Sequence, residues 1–175
     1  MRRVILLGLL VLALPTAALA TGIDFSTGKF VGGVFTGSLA TSITVSVSGS
    51  TGTIIMTTGP LTALAPGLFT FNDGLIEVFS RNSLLFTDTF ASTGDVVTVS
   101  GNNVGIVASL SPFTFQGTTI KSGTASLAVL LAGTTVRDGT GSASLVAPEP
   151  GTLGMLGTGL IGLAGLAKRK LELQA

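Results

Sequence analysis

Residues 68–80 read LFTFNDGLIEVFS. Two runs with period-2 alternation, 69–71 and 75–79, flank Asn72-Asp73-Gly74. Asn, Asp and Gly tolerate the positive φ angles of a tight turn, so the spacing predicts a β-hairpin. The same alternation recurs outward in both directions. Ile43, Val45 and Val47 interleave with Thr44, Ser46 and Ser48, placing apolar side chains on one face of a strand and hydroxyls on the other. Further strands are predicted at 29–36, 53–58, 84–90, 96–100, 104–110, 113–120, 124–131 and 140–146, with Gly, Asn, Asp and Ser punctuating them at short intervals. The stretch 125–132 is apolar enough for a buried central strand, a short helix being the alternative. About ten short strands without a helical period predict an all-β domain, an antiparallel β-sandwich or jelly roll. A β-solenoid would show a fixed repeat, and none is present.

Composition narrows the function classes. Only 10% of the 175 residues are charged, against roughly 25% in an ordinary soluble domain. Five of the nine basic residues sit at the ends: Arg2, Arg3, Lys168, Arg169 and Lys170. Residues 21–147 hold four basic and six acidic side chains, a net of −2, so no basic patch is there to neutralise phosphates and no nucleic-acid partner is expected. Cys and His are absent, which removes disulfides, thiolate metal sites and the commonest general base. No cofactor and no metal are expected.

The two ends read as addresses. Residues 1–20, MRRVILLGLLVLALPTAALA, combine a basic start at Arg2-Arg3, an apolar run at 4–14 and a small-residue cleavage site at Ala18-Leu19-Ala20. Eleven apolar residues form a helix of about 17 Å, too short for a hydrocarbon core of about 30 Å. The segment is therefore expected to be a secretory signal read by the Sec translocon, with the mature chain starting at Thr21. At the other end Pro148-Glu149-Pro150 precede an apolar run, 151–167, and then Lys168-Arg169-Lys170. Seventeen apolar residues are at the short limit for a transmembrane helix. The basic cluster predicts a cytoplasmic C-terminus, in agreement with Arg2-Arg3 at the other end. Within this run, GTGLIG at 157–162 fits the glycine pattern of a dinucleotide site. No βαβ unit can surround it, because the chain ends thirteen residues later.

Together these features resemble the PEP-CTERM sorting tail of bacterial surface proteins, carried here by VAPEPGTLGMLGTGLIGLAGLAKRK. The resemblance implies processing by an exosortase, a multipass transpeptidase-like membrane enzyme. It makes Pro148, Glu149 and Pro150 the recognised motif, 151–167 a transient membrane anchor, and Lys168-Arg169-Lys170 the stop. It also implies delivery to the cell surface or the extracellular polysaccharide matrix. Leu171-Glu172-Leu173-Gln174-Ala175 extend beyond the usual end of such tails. The domain reading is thus 1–20 signal, 21–147 β domain and 148–175 sorting tail.

The β domain offers little that resembles catalysis. Ser26-Thr27-Gly28-Lys29 fits S-x-x-K, but the partner motifs of that chemistry are missing and the segment reads as the start of a strand. Gly22 and Gly28-Lys29 approximate a phosphate loop with the wrong spacing, and Phe30 stands where Ser or Thr should follow. The acidic residues are Asp24, Asp73, Glu77, Asp88, Asp95 and Asp138. A facing pair could hydrolyse glycosides and a cluster could hold Ca²⁺, yet Asp73, Asp95 and Asp138 fall in predicted turns, Glu77 lies in a strand, and no D-x-D-x-D loop occurs; Asp88 is the one least explained by local structure. All ten Phe residues lie in this body and are expected in the core. Ser and Thr fill 38 of its 127 positions, which suits a solvated β-surface. The expectation is a non-enzymatic surface or matrix protein. A polysaccharide-binding or adhesion module is the alternative, and low charge with open strand edges predicts self-association.

Overall fold

The computed structural model describes residues 22–91, 94–147 and 159. The signal residues, including Ala18 and Ala20, lie outside the described residues, as do Pro148, Glu149, Pro150 and Lys168-Arg169-Lys170. So do the helices expected at the two ends, Gly159 excepted. Residues 22–147 form one compact all-β unit.

Fourteen strands are described: β1 (Gly22–Ser26), β2 (Phe30–Ser38), β3 (Ser42–Gly49), β4 (Thr53–Thr58), β5 (Leu61–Ala65), β6 (Leu68–Phe71), β7 (Gly74–Ser80), β8 (Ser83–Thr89), β9 (Asp95–Ser100), β10 (Asn103–Leu110), β11 (Phe113–Phe115), β12 (Thr118–Ile120), β13 (Ser122–Ala132) and β14 (Thr135–Val146). Twelve belong to one antiparallel sheet in the order β5-β6-β9-β10-β13-β14-β2-β3-β4-β7-β8, with β1 also paired to β14. β11 and β12 form a separate ribbon. The ladder hydrogen bonds define a single sheet curled over one core, and draw no division into two sheets. Segment 125–132 is strand, with Ala125, Leu127 and Val129 buried on alternate positions. The segment 113–120 is two strands joined by a turn at Gln116-Gly117, both at positive φ.

The opening stretch does not form a hairpin. β6 pairs with β5 and β9, whereas β7 pairs with β4 and β8. Asp73 and Gly74 do adopt positive φ, 62° and 135°, but the turn carries the chain from one end of the sheet to the other. The register explains why. β4 and β7 are continuous partners from Thr58↔Gly74 to Thr53↔Phe79, and the β5–β6 hairpin is an excursion between them. Gly59 lies where this excursion leaves and returns. Its amide donates to the Asp73 carbonyl at 3.0 Å, and a Cβ there would collide with the Asn72 carbonyl. Turn chemistry sets a local φ and leaves the identity of the pairing partner to the rest of the fold.

The concave face supplies the core. Ile43, Val45 and Val47 of β3 are at most 1% exposed, as the alternation requires. From the facing part of the sheet come Val97, Ile106, Leu127 and Leu145. β14 presses closely on β3 and β4. A Cβ on Gly139 would lie 3.2 Å from Val47 Cγ2, and one on Gly141 3.3 Å from Ile54 Cβ. None of the ten Phe residues is exposed. Phe86 stacks on Phe113 at 5.2 Å and meets Phe25 and Phe115 edge-on or tilted, tying the β11–β12 ribbon and β1 to β8.

Candidate functional site

The acidic residues are the natural place to look for chemistry, and the fold disperses them. Asp24 and Asp138 are exposed on outward positions of β1 and β14, and Asp73 is in its turn. Glu77 lies opposite Thr87, and Asp88 opposite Ile76. Neighbouring positions on a strand point to opposite faces, so Glu77 faces outward and Asp88 lies on the core side. They cannot flank one substrate bond. Among the described residues no three of the His, Cys, Asp and Glu side chains are placed to hold a metal ion.

Two carboxyls have unusual surroundings. Asp95 is 2% exposed, and its Oδ1 accepts the Ser109 amide at 2.8 Å. Its Oδ2 is buried with no hydrogen-bond partner, as is Oδ2 of Asp88. Burial pushes both carboxyls above the usual range, while the amides of Thr89 for Asp88 and of Ser109 for Asp95 pull the other way. The Ser26-Lys29 spacing forms no nucleophile site. Both side chains are exposed, and the Lys29 amide donates to Ser50 Oγ. The buried group in this segment is Thr27, whose Oγ1 accepts the Gly141 amide at 3.3 Å.

One surface feature was not legible in the sequence. Thr98, Gly105, Ala128 and Thr140 line up across β9, β10, β13 and β14 on the outward face. Gly105 and Ala128 leave a low floor between the two threonines. Asn103, Leu130 and Asp138 form the next row along the strands. The result is an open trough of about 360 Å³, at the small end of ligand-sized pockets. Its lining contains hydroxyls, one carboxamide and one carboxylate, with no cation. Such a lining suits a neutral polar ligand and disfavours an anion. These residues are far apart in the chain, and only the register brings them together.

At the opposite end of β14 the chain leaves the sheet. Val146 pairs with Gly22 on one side and Ser122 on the other, and its carbonyl accepts the Lys121 amide at 3.3 Å. The first described strand and the last therefore meet, with Gly22 set against Val146.

Comparison with known proteins bears on that end. The family model of the PEP-CTERM protein-sorting motif matches residues 146–170. The chain thus carries a PEP-CTERM sorting motif, which marks an exported protein with a membrane-anchoring signal that is processed by an exosortase. The match begins at the residue with which β14 ends. No curated protein and no solved structure matches the chain.

Proposed function

We propose that the chain is a non-enzymatic surface or extracellular-matrix protein. The Sec translocon exports it on the signal 1–20, cut after Ala18-Leu19-Ala20, and the 151–167 helix holds it in the membrane. Lys168-Arg169-Lys170 stop transfer, and the exosortase cuts at Pro148-Glu149-Pro150. The observation that carries this reading is the sorting motif at 146–170, joined directly to a compact β unit. The opposed directions of Glu77 and Asp88 support a non-catalytic body. We also read the curled sheet as sandwich-like, its halves joined through the pair Val34↔Thr135 and the bridge Phe90↔Leu110 and packed through Gly139 and Gly141.

The trough favours a second reading, a polysaccharide-binding or adhesion module. Asp138 and Asn103 offer acceptors and donors to sugar hydroxyls, and Leu130 offers an apolar contact. It also lies toward the end of β14 remote from Val146.

Incubating the processed, secreted protein with a panel of matrix polysaccharides tests both. The leading reading expects neither release of sugar nor saturable binding. Saturable binding lost in Asp138→Ala and Asn103→Ala would establish the second reading instead. Release of reducing ends that disappears in Asp88→Asn or Glu77→Gln would overturn both.

A further inference from the structure

Gly105 is a strand-interior glycine that neither the backbone nor the packing requires. It stands inside β10, paired with Thr98 of β9 on one side and Ala128 of β13 on the other. A glycine there weakens a strand, because its backbone loses more freedom on folding and it has no side chain to pack. The other strand glycines have visible reasons. Gly37 and Gly74 are at positive φ, and a Cβ on Gly33, Gly49 or Gly123 would collide with a backbone carbonyl. Gly139 and Gly141 let β14 approach the core. Gly22 opens its strand, and Gly32 borders a register shift. Gly105 has an ordinary φ, and the one group a Cβ would meet is the Thr98 hydroxyl, at 2.7 Å. Thr98 is exposed and can turn away.

The missing side chain leaves space outside the sheet. Gly105 and Ala128 are the floor of the trough between Thr98 and Thr140. A larger side chain at 105 would fill it.

We infer that the trough takes one neutral pyranose ring of a polysaccharide, laid flat on Gly105 and Ala128, an inference that rests on the second reading above. Thr98 and Thr140 stand three strand spacings apart, about 14 Å, which leaves room for a single ring across the strands. In that pose the C–H face of the ring meets the Ala128 methyl and Leu130, which is 38% exposed. The ring hydroxyls meet Thr98, Thr140, Asn103 and Asp138 at the walls. The Gly139 amide donates to Asp138 Oδ1 at 2.8 Å and holds the carboxylate in place. A carboxylate only accepts, which matches a sugar hydroxyl. The lining has no cation, so an acidic sugar would meet repulsion with nothing to offset it.

The test uses the processed, secreted protein, with binding followed by titration calorimetry and stability by melting temperature. The probes are a glucan, a mannan and a galactan as neutral polymers, and alginate as the acidic one. Saturable binding to at least one neutral polymer, and none to alginate, is expected. Gly105→Val fills the floor and should weaken that binding by at least about tenfold. The same variant should melt no lower than wild type, since Val suits a strand better than Gly does. Ala128→Val fills the other half of the floor and guards against misfolding of the first variant. If wild type binds none of the polymers, the inference and the second reading fall together. If both folded variants bind a neutral polymer as well as wild type does, or if alginate is preferred, the second reading stands and the inference falls. If both variants lose the β-sheet circular dichroism, the small floor is a requirement of the fold, and the inference falls as well.

Discussion

Asp95 shows how much a single buried carboxyl depends on its partners. Its Oδ1 is tied to Ser109, its Oδ2 has nothing, and burial raises its pKa above 3.8. The fold therefore holds the proton more tightly than the unfolded chain does. Destabilisation by the ionised form is complete above the raised pKa, shrinks as pH falls through it, and is gone below 3.8. Wild type should gain thermal stability on acidification through that window. In Asp95→Asn, which keeps an acceptor for Ser109, the gain should be smaller, leaving the share from Asp88. Melting temperatures of both proteins across the acid range check this, and identical pH profiles would refute it. Thr27 is the opposite case, a buried hydroxyl that is satisfied. Thr27→Val strands the Gly141 amide and should cost about 1–3 kcal/mol in chemical denaturation. Neither role was legible in the sequence. Asp95 beside Gly94 reads as a turn residue, and Thr27 reads as part of S-x-x-K, because burial comes from distant strands.

At the scale of elements, alternation was a reliable guide to where strands lie and a poor one to what they pair with. β3, β4, β7 and β10 follow their apolar periods closely. β1 and β5 escaped notice because they are short, and the first half of β14 because Gly139 and Gly141 stand at its inward positions. Those glycines mark where β14 meets the core opposite Val47 and Ile54. Gly141→Val should overpack this contact at a cost of about 1–3 kcal/mol. The outward Ser142→Val should stay within about 0.5 kcal/mol of wild type, as measured by denaturant titration. The pairing at Asn72-Asp73-Gly74 can be tested covalently, since the chain has no cysteine of its own. Ile55 and Glu77 are direct partners on β4 and β7, so an Ile55→Cys, Glu77→Cys protein should form a disulfide under oxidising conditions. A hairpin across Asn72-Asp73-Gly74 would instead oppose Thr70 and Ile76. That cysteine pair should remain reduced, as read by thiol labelling.

For the whole molecule, the sorting motif at 146–170 was legible in the sequence and the body only as a class. The tail is a contiguous arrangement of Pro-Glu-Pro, an apolar run and a basic cluster, which is why residues alone suffice to recognise it. The trough is not contiguous, being assembled from four strands that the curled sheet brings side by side. The same sheet sets Gly22 against Val146, so β14 ends where the sorting motif begins. A cut at this motif is proposed to release the β domain. Its most direct test is mass spectrometry of the C-terminus of the protein exported by cells with and without an exosortase. With the enzyme, the exported chain should end at or near Pro148-Glu149-Pro150 and lack the residues that follow. Without it, the tail should remain through Ala175 and the protein should stay in the membrane fraction. An exported protein that keeps Ala175 in the presence of the exosortase would contradict the account.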